Sequence, residues 1–167
     1  DPWRARLWII GGAASVPTVI LTVLLIYGLS MLPGLVRPAP EGSLQVDVIG
    51  EQWWWRVKYP NAEPNAEAQS VELANEIRLP VGEPVQFNLE SADVIHAFWI
   101  PSLGGKVDMI PGRRTRLTLE PTRPGRFRGV CAEYCGDSHA LMAFDVVVMP
   151  PGEFDDWLAD QRQPAVE

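Results

Sequence analysis

Two hydrophobic patterns divide this chain. From Leu7 to Val36 thirty residues pass without a charge, between Arg6 and Arg37, whereas about 20 apolar residues suffice for a helix to cross a bilayer. The stretch predicts one transmembrane helix, with Trp3 and Trp8 near one end and Tyr27 toward the other, since amphipathic rings favour the headgroup level. Pro17 predicts a kink in that helix rather than its end. A signal peptide fits less well, because its apolar region runs to about 7–15 residues and closes on a small-residue cleavage site. Arg4 and Arg6 precede the stretch and Arg37 follows it, so the positive-inside rule predicts a cytoplasmic N-terminus and an exported remainder.

Beyond Val36 the apolar period shortens to two. Pro33, Gly34, Pro38, Pro40 and Gly42 first make a stiff connection, because proline fixes its own φ and cannot continue a helix. Short runs rich in Val, Ile, Trp and Phe then alternate with polar residues, which predicts strands. They are expected at Gln45–Ile49, Gln52–Tyr59, Glu76–Leu79, Val85–Glu90, His96–Ile100, Arg114–Glu120, Arg126–Val130 and Ala143–Met149. Many short strands between turn residues imply a β-sandwich. Tyr59 to Ser70 is polar and holds two prolines, so it reads as an exposed connection. Pro150 to Gln161 places Phe154, Trp157 and Leu158 at helical spacing and predicts a short amphipathic helix. The expected organisation is 1–37 for the transmembrane helix and its flanks, 38–43 for a linker, 44–150 for the β domain and 151–167 for the C-terminal helix and tail.

Charge narrows the class of partner. Setting aside Asp1, Arg4, Arg6 and Arg37 from 21 acidic and 14 basic residues leaves 20 acidic against 11 basic, a formal charge of −9. Such a field repels nucleic acid, so no nucleic-acid partner is expected, and it attracts basic proteins in a salt-dependent way. The arginines between Arg113 and Arg128 alternate with strand residues and read as a solvated sheet face. No phosphate-cradling glycine motif occurs.

The chemistry lies in twelve residues, Cys131-Ala132-Glu133-Tyr134-Cys135-Gly136-Asp137-Ser138-His139-Ala140-Leu141-Met142, which hold both cysteines of the chain and one of its two histidines. The other histidine is His96. Thiolate, thioether and imidazole together select soft metals. A Cys131–Cys135 disulfide is geometrically possible but leaves His96, His139 and Met142 without a role. A closed zinc site could take both cysteines and both histidines and has no use for Met142. A mononuclear blue-copper site wants one cysteine, two histidines and an axial methionine, which strands the second cysteine. Two coppers bridged by both cysteines, each completed by one histidine and one weak axial ligand, use every soft donor.

These words resemble those of cytochrome c oxidase subunit II. The resemblance runs from the membrane helix to the C-terminal helix. It rests on Cys131–Gly136 with His139 and Met142, on Ser91-Ala92-Asp93-Val94-Ile95-His96-Ala97-Phe98-Trp99-Ile100-Pro101, on Gly104–Gly112 and on Glu51-Gln52-Trp53-Trp54-Trp55. It implies a mainly β chain: a cupredoxin-like Greek-key β-sandwich preceded by one transmembrane α-helix. It also implies a dinuclear copper centre bridged by Cys131 and Cys135, with His96 and Met142 on one copper and His139 and the Glu133 carbonyl on the other. The Glu133 carboxylate would reach a magnesium ion shared with subunit I. Trp53 matches the family's electron-entry tryptophan and Asp93 one of its cytochrome c docking acids, whereas strand alternation alone would expose Trp53 and Trp55 equally.

The implied function is electron acceptance from cytochrome c and delivery to haem in subunit I, where oxygen is reduced to water. The implied setting is a bacterial inner membrane or its mitochondrial equivalent, with the copper domain on the periplasmic side. The family usually has two membrane helices where this sequence has one, so a fragment, a processed product or a variant is expected. No C-x-x-C-H motif occurs, so the donor cytochrome is a separate protein or another subunit. A membrane-tethered copper or zinc protein with a binding or assembly role is the reading from another class.

Overall fold

Proline and the demand for paired backbone groups shape the first helix. The computed structural model describes residues 1–35, 37–60 and 70–163, and the chain separates into two units, Asp1–Arg37 and Pro38–Glu167. In the first unit α1 (Pro2–Arg6) runs into wide π-helical turns (Leu7–Ser15) and then α2 (Val16–Leu35). Pro17 has no N–H to give to the preceding turn. Wide π-helical turns lie just before it, and the Ser15 and Thr18 hydroxyls donate to the Ile10 and Ala14 carbonyls at 2.7 Å each. Both hydroxyls thereby satisfy main-chain carbonyls of the turns beside Pro17. The run Pro2–Gly34 is long and apolar enough to cross a membrane.

In the second unit, alternation builds two five-stranded sheets. One has the order β3-β2-β1-β5-β8, from β1 (Leu44–Glu51), β2 (Trp54–Tyr59), β3 (Val71–Ala74), β5 (Val85–Ser91) and β8 (Thr115–Leu119). The other has the order β4-β10-β9-β6-β7, from β4 (Glu76–Pro80), β6 (His96–Ile100), β7 (Gly104–Met109), β9 (Gly125–Cys131) and β10 (Ala143–Met149). β1 pairs parallel with β5 and β4 parallel with β10, while the other pairs are antiparallel. Every second residue of β1, β2 and β5 points inward: Val46 and Val48, Trp55, Val57 and Tyr59, Val85, Phe87 and Leu89. They meet Ile77, Leu79, Phe98, Ile100, Phe144, Val146 and Val148 from the other sheet. The exposed side of β9 carries Arg126 and Arg128, as expected for a solvated face.

The structure departs from the predicted strands in two ways. β3 and β7 are additional, and both are sheet edges. Each buries a single residue and so carries little apolar signal, and β7 opens on Gly104 and Gly105 at φ of 129° and 42°. Gln52 and Trp53 form a turn before β2 rather than its first residues. The predicted connection after Tyr59 falls mainly on residues 61–69, outside those described.

Two ties cross between the sheets. Tyr59 donates its hydroxyl proton to the Arg78 carbonyl (2.9 Å) and accepts the Arg78 N–H (2.7 Å). Burial raises the Tyr59 pKa well above its ordinary value. At the other end Asn75, at φ 57°, accepts the Trp55 N–H on its side chain (2.8 Å), donates to the Trp55 carbonyl (2.9 Å) and accepts the Asp145 N–H on its own carbonyl (2.9 Å). α3 (Pro151–Gln161) closes the sandwich by burying Phe154 and Leu158. Trp157 packs edge-on to Tyr59, with Arg78 over its ring.

Gly129 sits opposite Phe144 in the β9–β10 register, and a Cβ there would lie 2.0 Å from the ring. Gly129→Ala should therefore lower unfolding stability by about 1–3 kcal/mol through overpacking, measured by denaturant titration of the metal-free chain. An unchanged midpoint would contradict this packing.

Candidate metal centre

His96 is the one fully buried polar or charged residue among those described, and glycine makes its seat. Its ring lies against β1 at Gly50, where a Cβ would come within 2.9 Å of the imidazole. Nε2 lies 2.8 Å from Asp93 Oδ1, and Nδ1 lies 3.8 Å from Cys131 Sγ. Asp93 also accepts the main-chain N–H groups of Gln52 and Val94, each at 2.6 Å. Burial works against its charge, but the hydrogen bonds from His96, Gln52 and Val94 outweigh that and hold the carboxyl below the usual carboxylate range. An ionised Asp93 accepts the Nε2 proton, which assigns the tautomer and leaves the Nδ1 lone pair facing the sulfurs.

β9 ends at Cys131, and the following loop folds back on itself. Cys131 N–H donates to the Met142 carbonyl at 3.0 Å, and a short 3-10 turn (His139–Leu141) carries the third donor. Cys131 Sγ and Cys135 Sγ stand 3.8 Å apart, far beyond the roughly 2.05 Å of a disulfide bond, and both thiols are free. His139 Nδ1 is 3.6 Å and Met142 Sδ 3.7 Å from Cys135 Sγ, while the Glu133 carbonyl is 3.2 Å from Cys131 Sγ. The Glu133 side chain is exposed. His96, Cys131 and Cys135 thus offer donor atoms within 4.8 Å of one another, and His139, Met142 and one carbonyl border them.

This set fits copper. Two thiols and a thioether are soft donors and two imidazoles suit copper as well, whereas hard cations want oxygen ligands. Behind them Trp55 fills the core, its ring 6.1 Å from that of His96 and its indole N–H 3.4 Å from the Met142 carbonyl. In front, Trp53 is 37% exposed, and its indole N–H donates to the Cys135 carbonyl at 3.2 Å. Gly136, at φ 121°, leaves room for that ring, since a Cβ would lie 3.1 Å from it. Trp53 and Trp55 therefore do not share an environment. The turn at Gln52–Trp53 interrupts the alternation that would have made them equivalent.

A family model described as "Cytochrome C oxidase subunit II, periplasmic domain" matches residues 44–149. The chain belongs to the cytochrome c oxidase subunit II family. It is 40% identical to cytochrome c oxidase subunit 2 of Alkalihalophilus pseudofirmus over 143 residues, covering 84% of this chain and 40% of that protein. To cytochrome c oxidase subunit 2 of Synechocystis it is 41% identical over 116 residues, covering 70% of this chain and 32% of that protein. The chain thus spans about a third to two fifths of the relatives' length. The crystal structure of the periplasmic domain of subunit II of cytochrome oxidase (CoxB) of Bradyrhizobium japonicum superposes with a TM-score of 0.65 at 30% identity, covering 76% of this chain and 96% of that one. The cupredoxin-like fold accords with membership of this subunit II family.

Three residues at the site escaped sequence reasoning in this role. Gly50 had a signal, since a glycine inside a strand marks a close approach. Gln52 and Asn75 had none, because their partners lie far along the chain.

Burial, the neighbouring Cys131 and the charge of Asp93 push the Cys135 thiol up to about 12 from an ordinary 9.0. An unfolded chain ionises this thiol near its ordinary value, so the folded chain holds the extra proton between those limits. Stability of the metal-free chain should be insensitive to this group below about pH 9 and fall as pH rises toward about 12. Cys135→Ser should flatten that alkaline slope in pH-dependent unfolding; an equal slope would contradict the assignment.

Proposed function

We propose that this chain is the electron-accepting subunit II of a respiratory haem-copper oxidase, taking electrons from cytochrome c and delivering them to haem in subunit I for reduction of oxygen to water. The observation that carries the reading is the convergence of Cys131, Cys135, His96, His139 and Met142 with the Glu133 carbonyl at one end of the sandwich. Cys131 and Cys135 would bridge two coppers, His96 and Met142 completing one shell and His139 with the Glu133 carbonyl the other. Such a pair, when bound, supplies a one-electron couple shared over two metals and two sulfurs. The exposed Glu133 carboxylate is free to reach a magnesium ion shared with subunit I.

The protein's own part is to hold the donors still and keep water away. Core packing of Trp55 behind His96 and the bond from its indole to the Met142 carbonyl restrain both sides. Trp53 would be the electron entry point, because its partly exposed ring reaches the Cys135 carbonyl directly. Asp93 lies beside this entry and, half-turned inward to His96, would add its charge to the acidic field that draws a basic cytochrome c. The apolar helix would anchor residues 1–37 in a bacterial inner membrane or its mitochondrial equivalent. Residues 44–150 would then form the copper domain on the periplasmic side, with the segment 38–43 between them and 151–167 as helix and tail.

The deciding experiment is copper addition to the full chain in detergent, followed by electron paramagnetic resonance. The expected result is one unpaired electron spread over two coppers, lost in Cys131→Ser and in Cys135→Ser. A colourless zinc protein or a mononuclear blue spectrum would overturn the reading.

Two further outcomes are expected. Met142→Leu should keep copper bound while shifting the reduction potential, as a weak axial ligand does; complete metal loss would contradict it. The rate of electron uptake from a basic cytochrome c should fall by about 10-fold or more from low to high salt, and Trp53→Phe should slow uptake without changing copper content. Salt-independent uptake, or an unchanged rate in Trp53→Phe, would contradict the docking face.

A further inference from the structure

Gln52 makes two hydrogen bonds that join the separate segments carrying the donors. Its main-chain N–H donates to Asp93 Oδ2 at 2.6 Å, and Asp93 Oδ1 holds His96 Nε2 at 2.8 Å. Its side-chain Nε2 donates to the Cys135 carbonyl at 2.7 Å. Trp53, the next residue, donates its indole N–H to that same carbonyl. The seat for the amide is kept open by Gly136, where a Cβ would lie 3.0 Å from Gln52 Nε2. One residue in the turn after β1 therefore reaches the histidine segment with its backbone and the cysteine loop with its side chain.

The geometry points to Gln52 as a positioning residue that ties the His96 segment to the Cys135 loop, so that the donors stand converged before metal enters. This rests on the reading of the cluster as a copper centre. A metal site built from two distant segments loses affinity when either can swing away, and the groups that orient ligands are worth about 10–100-fold in metal affinity. The amide also presents the positive end of its dipole toward the Cys135 side of the cluster. Donors near ligand sulfur favour the electron-rich, reduced state. Losing the amide therefore weakens metal retention and lowers the reduction potential together.

Gln52→Leu in the full chain in detergent keeps the size and the main-chain N–H and removes only the amide. Copper should pass to a chelator about 10-fold faster than from the wild type, and the reduction potential should fall. Asp93→Ala cuts the other half of the tie. In the metal-free wild type the Gln52 main-chain amide should exchange slowly with solvent, and in metal-free Asp93→Ala it should exchange faster. A Gln52→Leu variant with wild-type copper release and potential overturns the proposal, even if its thermal midpoint drops, because packing alone would explain that drop. So does a Gln52 amide that exchanges equally fast with and without the Asp93 carboxylate. If the wild type takes up no copper pair, the copper reading falls, and the metal-free exchange comparison still decides whether the tie exists.

Discussion

Trp55 is where core and site become one structure. Its ring touches Phe98 and Phe144 in the sandwich and lies beside His96, while its indole N–H reaches the carbonyl of Met142. Its backbone N–H and carbonyl are both held by Asn75, which also takes the N–H of Asp145 in the opposite sheet. A large aromatic of this kind dominates local burial, so the free energy that closes the sandwich also fixes the wall against which the donors stand. The sulfur and nitrogen atoms need little freedom of their own. They inherit their places from strands whose positions are set by apolar packing.

Glycine supplies the close approaches that this arrangement demands. Gly50 lets an imidazole lie on a strand backbone, Gly129 gives Phe144 its berth, and Gly136 admits Trp53 and Gln52 to the cysteine loop. At each point a methyl group would occupy space already taken by a ring or an amide. The contacts at Gly50 and Gly136 lie on the two segments that carry the donors.

Much of this was legible along the chain, and the limits have physical causes. β1, β5 and β10 could be read because each presents one face to a core and one to solvent, which forces alternation. β3 and β7 could not, since each buries a single residue and so shows no period. The donors were legible as residue types at short spacing, four of them within one loop. Trp53 and Trp55 were indistinguishable by period and were separated only by a turn. Asp93 could be recognised as an acid near the site, but its grip on His96 depends on a loop conformation that no periodicity encodes.

The parallel pairing of β4 with β10 has a consequence for the order of events in the life of the protein. Glu76 finds its partner at Asp145, and such distant pairings form late because a long loop must close first. His139 and Met142 lie just ahead of β10, so the donor set is expected to be complete only once that strand has docked. Any metal held there would then meet its full donor set only after that strand is in place.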